Sequence, residues 1–250
     1  MTALSLVGTH LKYGLVEVFR IPIAVIGGLV FPALALLFFV VPQRTVAEDP
    51  AAATAAIIAM SVFAIMSNAL FSVGLQIAED REKPWDVFVR SLPVSASIRI
   101  VAMLASATIR GLAALVPVLV IGAMFTAARA EPGPILLGLL AITATGLPFM
   151  LIGAVIGYAM PQKAAIAVVQ IVMFVFAFAG GLFLPPEFFP GWLETLSRFV
   201  PSRQARELVI AAVQGGSVPP WVWLGLIAWT ILLFGLAVLL YRGDRSRRFR

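Results

Sequence analysis

The chain has 250 residues, of which 61% are hydrophobic and only 12% charged, with a formal net charge of +6 and no cysteine. An ordinary soluble domain carries about twice that share of charge, and the absence of cysteine excludes disulfides, thiolate metal sites and thiol nucleophiles. The charges are also missing in blocks, because residues 21–43, 50–78, 132–162, 164–186 and 208–241 contain none. Each block is at least as long as the roughly 20 residues that a helix rising about 1.5 Å per residue needs to cross about 30 Å of hydrocarbon.

A sixth apolar block, 111–128, is shorter, and it extends back through 100–109 if Arg110 is tolerated. The pattern predicts an all-α integral membrane protein with six spans at about 22–41, 55–77, 100–127, 135–159, 164–184 and 221–241. These form a single membrane domain over residues 1–250, since no loop reaches the ~50 residues of a separate soluble domain. No cleavable signal peptide is expected, because Lys12, Glu17 and Arg20 lie where its apolar core would be.

Basic residues set the expected orientation. Twelve of the 18 Lys and Arg residues fall on the side of the N-terminus, five (Arg44, Arg129, Arg198, Arg203 and Arg206) fall on the other, and Arg110 lies within a span. The positive-inside rule then places both termini in the cytoplasm, as an even number of spans requires. The protein is expected in the cytoplasmic (inner) membrane as a multi-pass protein. The basic run at 242–250 follows directly on a span, where such residues meet lipid headgroups, so no nucleic-acid partner is expected.

In chain order, Leu4, Val7, Leu11, Leu15 and Val18 recur at helical spacing and predict an interfacial helix before the first span. The lone His10 reads as a headgroup contact. Pro22 and Pro42 frame the first span and Pro32 is expected to kink it. Asn68 and Gln76 in the second span need partners away from lipid, either neighbouring helices or a cavity. After it come the charges Glu79, Asp80, Arg81, Glu82 and Lys83, then Pro84, then Trp85, Phe88, Val89 and Leu92 at i, i+3, i+4 and i+7, before Pro93. That spacing predicts a short amphipathic helix, lying on the membrane surface or docking a partner.

Arg110 in the third span either snorkels back toward headgroups or faces an internal wet path. Gly153 and Gly157 in the fourth have the GxxxG spacing of closely approaching helices. Gln170, Phe174 and Phe178 form a stripe on the fifth. Beyond it, Trp192, Leu193, Leu196, Phe199 and Val200 and then Ala205, Leu208, Val209, Ala212 and Val213 predict two apolar-faced helices, with Glu194, Arg198, Arg203, Arg206 and Glu207 on other faces. They resemble a re-entrant hairpin, and Trp221, Trp223 and Tyr241 frame the last span as interfacial anchors.

Two segments resemble the permeases of ABC-2 type transporters. In that family a stretch near "ERE-x-G-T" runs into "L-x-x-x-P-[VL]-S" between spans two and three, and here Asp80-Arg81-Glu82 is followed by an apolar helix and Leu92-Pro93-Val94-Ser95. Pro84 and Trp85 stand where the family often has Gly-Thr. Between spans five and six the family carries "G-x-[LF]-x-P … P-x-W-[LI] … P", matched by Gly181-Leu182-Phe183-Leu184-Pro185, by Pro190-Gly191-Trp192-Leu193 and by Pro201. With the six-span layout the resemblance covers nearly the whole chain.

The resemblance implies that the cytoplasmic helix is a coupling helix seated on a separate ABC ATPase subunit, which binds ATP and Mg. Glu79, Asp80, Arg81, Glu82, Trp85, Phe88, Val89 and Leu92 are then the docking residues, the charges pairing with cytoplasmic helices or with the ATPase. It also implies a homodimer or a pairing with a sister permease, in which spans two and five line the path and Phe63, Asn68, Phe71, Gln170, Phe174 and Phe178 are candidates for substrate contact. The expected function is that of an exporter subunit for an amphipathic small molecule or lipid-like substrate.

The chain itself is not expected to be an enzyme: it has no GxxxxGK[ST] phosphate loop, no HExxH and no His/Cys metal set, so no cofactor is expected on it. An ion-gradient-driven secondary transporter is the alternative, but no carboxylate lies inside any expected span. An intramembrane lipid enzyme would need convergent acid, base or metal groups, and the carboxylates at 79–82 have no histidine nearby in sequence.

Overall fold

The computed structural model describes residues 30–83 and 96–248. The expected interfacial helix, most of the first span and the segment 84–95 lie outside them. Among the described residues every regular element is helical: α1 (Val30–Val40), α2 (Arg44–Ala47), α3 (Pro50–Glu82), α4 (Ala96–Phe125), α5 (Pro132–Ala159), α6 (Gln162–Ala179), α7 (Gly191–Ser197), α8 (Pro201–Gln214) and α9 (Pro220–Arg248), with a 3-10 turn at Pro186–Phe188. Five of them, α3, α4, α5, α6 and α9, are long and apolar enough to cross a bilayer. A π-helical turn at Leu36–Val40 follows Pro32 by one turn in α1, a local widening of the kind that relieves strain in an interrupted hydrogen-bond ladder.

Helix α3 is the axis of the bundle. Asp49 caps it by accepting a hydrogen bond from the Ala52 amide at 2.7 Å, and Pro50 occupies its first turn, both standard helix-start chemistry. Its 33 residues extend about 50 Å, well beyond a hydrocarbon layer of about 30 Å. The helix therefore continues through Glu79–Glu82, which the sequence assigned to a loop. Nothing breaks it before Pro84, whose ring forces the preceding Lys83 into an extended conformation (φ −72°, ψ 132°). It packs mainly against α5 and α4, and also against α6 and α8.

Glycine sets the distance between α3 and α5. A Cβ at Gly153 would lie 3.1 Å from the Leu70 carbonyl oxygen, and one at Gly157 would lie 2.5 Å from that of Gly74. The GxxxG pair thus lets the two backbones touch, as its spacing suggested.

Helix α6 stops at Ala179, five residues before the expected end of its span. Gly181, at φ +74°, supplies the left-handed residue of a Schellman cap: its N–H donates to the Phe178 carbonyl at 3.2 Å, and that of Leu182 donates to Ala177 at 2.9 Å. Ser202 Oγ, from α8, donates to the Phe176 carbonyl at 2.6 Å and secures the same end.

The segment between α6 and α9 is two helices, α7 and α8, as the spacing indicated. The apolar stripe of α8 is buried at Ala205, Leu208 and Val209, but its polar side is covered as well, with Gln204 and Arg206 both buried. Arg203 and Arg206 share Glu207 there: Oε1 lies 3.1 Å from Arg203 Nε and 2.8 Å from Arg206 Nη1. By contrast Trp192, Leu196 and Phe199 on and just after α7 are exposed on the chain. Apolar side chains turned outward suit contact with hydrocarbon.

Candidate functional site

Two regions hold the residues that the sequence singled out. The first is the charged end of α3, where α5 and α9 also finish and α6 begins. Helix α5 ends at Met160-Pro161, and because Pro161 has no N–H the Gly157 carbonyl lacks its normal donor four residues on. Arg81 supplies the missing donor. Its Nη1 donates to the Gly157 carbonyl at 2.9 Å and to that of Met160 at 3.3 Å. The same guanidinium places Nε and Nη2 each 2.9 Å from Asp244 Oδ1 on α9. Asp244 is buried, and a buried carboxylate is stable only when paired in this way.

The neighbours of Arg81 divide between inward and outward roles. Glu82 accepts from the Gln162 amide at 2.8 Å, meeting one of the free donors at the start of α6. Lys83 pairs with Glu79 at 3.0 Å and with Asp80 at 3.2 Å. Burial alone would lower the Lys83 ammonium, but the hydrogen bonds to Glu79 and Asp80 outweigh it and hold its pKa above the ordinary value. Trp85, Phe88, Val89 and Leu92 lie outside the described residues. What the structure describes is the platform from which they continue.

The second region is aromatic. Phe63, fully buried on α3, stacks at 4.9 Å between ring centroids on Phe183 and at 5.8 Å on Phe31. Phe183 also meets Phe178 at 5.2 Å and Phe39 at 6.3 Å, all within the range of favourable tilted ring pairs. Of the candidate path residues, Phe63 and Phe178 are therefore brought together through Phe183. Phe71 and Phe174 are half-buried at the edge of the main core. Asn68 is turned away to α4, where Nδ2 donates to the Ala107 carbonyl at 2.9 Å. Gln170 is exposed on the outer face of α6. Arg110 reaches back one turn to Ser106, with Nη1 2.7 Å from Oγ, which is the direction of snorkelling toward the start of α4.

Sequence reasoning did not select Phe183, Phe31, Phe39 or Asp244 as site residues. Phe183 belongs to the motif at 181–185, and its position just past the Gly180-Gly181 break is the signal that it can fold back on the bundle. Asp244 is the only acidic residue in the basic run 242–250, and an isolated opposite charge in such a run is a usable signal.

Span-length apolar helices in this number make the chain a multi-pass membrane protein. Its sequence matches the ABC-2 type transporter family over residues 6–213, and the chain belongs to that family of transport permeases. Over 198 residues it is 24% identical to "Putative transport permease YvfS" of Bacillus subtilis (strain 168), an alignment covering 79% of this chain and 80% of the relative. The family recognised from the two loop motifs is thus the right one. Permeases of this family work with an ABC ATPase partner in general.

Proposed function

We propose that this chain is the membrane subunit of an ATP-driven exporter, fed by a separate ATPase that carries the ATP and Mg. The six-span layout, with both termini in the cytoplasm of an inner-membrane protein, is part of this reading, as are a permease dimer and an external re-entrant helix pair. The observation that carries it is the end of α3, which runs past the length of a span into a charge cluster braced on other helix ends. Directly after it Trp85, Phe88, Val89 and Leu92 follow at the spacing of one face of an expected short helix, a form suited to an apolar groove on an ATPase, with Glu79, Asp80, Arg81 and Glu82 supporting it.

The aromatic cluster around Phe183, with Phe63 and Phe178, favours a substrate with an apolar or aromatic body and supports an amphipathic small molecule or lipid-like cargo. Phe71, Phe174, Asn68 and Gln170 complete the proposed path, Asn68 from its place against the Ala107 carbonyl on α4 and Gln170 from the α6 face where a second permease would sit. The test is replacement of Trp85 and Phe88 with Ala. Aromatic anchors at interface hot spots each cost about 2 kcal/mol or more when truncated, so ATPase association should fall at least about tenfold while the permease still inserts. Unchanged association would make Trp85 a headgroup anchor and end the docking assignment.

A further inference from the structure

The charged end of α3 does more than precede the proposed docking segment, because two consecutive residues tie it to three other helices. Arg81 holds the end of α5 through the Gly157 and Met160 carbonyls and the end of α9 through Asp244, and Glu82 holds the start of α6 through the Gln162 amide. Arg81 and Asp244 are 163 residues apart in sequence, and although α9 also packs along α5, this ion pair ties it directly to the end of α3. The pair is not a surface ornament: the side chains are 22% and 6% exposed, and a guanidinium with three nitrogens engaged in a planar fork resists rotation.

We propose that the Arg81–Asp244 pair is the joint through which movement of the docking segment is transmitted to α9, making both positioning residues for coupled transport. A displacement of residues 84–92 acts first on the last turn of α3. With the joint intact, the ends of α3, α5 and α9 move as one body, because a shift of Arg81 alone would break a buried ion pair and leave the Gly157 carbonyl without a donor. With the joint cut, α3 still moves with the docking segment, and α9 follows only through its packing on α5. This rests on the ATPase-docking reading of residues 79–92 given above.

The chain has no cysteine, so single reporters are simple to place. An environment-sensitive fluorophore would be attached at Leu239→Cys on the exposed side of α9, and in a separate protein at Gln76→Cys on α3. Each labelled permease would be reconstituted with its ATPase subunit and compared with and without Mg-ATP plus vanadate. In the otherwise unsubstituted chain both reporters should respond to nucleotide. With Asp244→Ala the α3 reporter should keep its response and the α9 response should fall at least about fivefold, the lower end of ordinary coupling factors.

Asp244→Glu keeps the charge and should retain most of the α9 response, which separates the joint from a general packing requirement if the Ala variant is poorly folded. A full α9 response in Asp244→Ala, or equal loss in Asp244→Glu and Asp244→Ala, would overturn the joint. Co-purification of the ATPase decides the other reading separately. Asp244→Ala should bind it as the unsubstituted permease does, and absence of binding by the unsubstituted permease would overturn the docking reading and the joint together.

Discussion

The closeness of α3 and α5 yields a stability prediction with its own control. In Gly157→Ala the new methyl would sit 2.5 Å from the Gly74 carbonyl oxygen and 2.9 Å from Ile77 Cβ, so the helices must part by about 1 Å to reach ordinary contact distance. The obstacle is backbone and cannot swing aside, which sets the cost near the upper end of the ~1–3 kcal/mol typical of overpacking. Alanine returns about 1 kcal/mol of helix propensity, leaving a net loss of about 1–2 kcal/mol. For a chain of this size each kcal/mol moves Tm by about 2–4 °C, so Tm should fall by about 2–8 °C in detergent-solubilised permease followed by intrinsic tryptophan fluorescence. Gly235→Ala, in α9, meets nothing within 4 Å and should raise Tm by about 2–4 °C from the propensity term alone. If Gly157→Ala melts at or above the parent, or Gly235→Ala falls as far as Gly157→Ala, the α3–α5 contact is not the close packing described.

Three further expectations follow from particular residues. Cysteines at Ser5 and Ser246 should be shielded from an impermeant thiol reagent in intact cells, since twelve basic residues mark that side; labelling from outside would reverse the orientation. Cysteines on the outward face of α6, at Ile171 or Val175, should crosslink two permease chains in lipid, and a functional particle that stays strictly monomeric would refute the dimer. Gly225 of α9 lies directly against the Gln204 amide, whose Nε2 donates to the Arg198 carbonyl at 2.8 Å. Gly225→Ala should therefore cost about 1 kcal/mol, and adding Gln204→Ala should recover at least about 0.5 kcal/mol relative to additivity in a double-mutant cycle; purely additive losses would place the two residues out of contact.

Apolarity announced the spans, yet it could not say which of them lie inside. The most hydropathic windows of α3 and α6 are nearly equal at 2.0 and 1.9, but 72% of the first is buried and only 22% of the second. In hydrocarbon the solvent is as apolar as the core, so a lipid-facing helix and a central one read alike. Small and polar residues carried the missing information. Gly153 and Gly157 correctly marked a close helix contact, and Asn68 found a carbonyl on α4. That the polar side of α8 is also covered, with Gln204 and Arg206 buried, could not be read from a helical wheel, which records only the apolar stripe. The lone acid Asp244 in its basic run was a signal, but its partner Arg81 could not be read from the sequence, since the two lie 163 residues apart and meet only where the ends of α3 and α9 come together.

Gln170 completes the same argument. Asn68 has its partner within the chain, whereas Gln170 is exposed among Ile166, Ile171 and Phe178 and makes no hydrogen bond among the described residues. An amide left in hydrocarbon without a partner costs several kcal/mol, so the α6 face is a poor surface to show to lipid. A second permease chain or a wet path against that face removes the cost. This is why the crosslinks are placed on α6 and not on α9, whose outward positions Leu224, Ile231, Leu232 and Leu239 are apolar and need no partner in hydrocarbon.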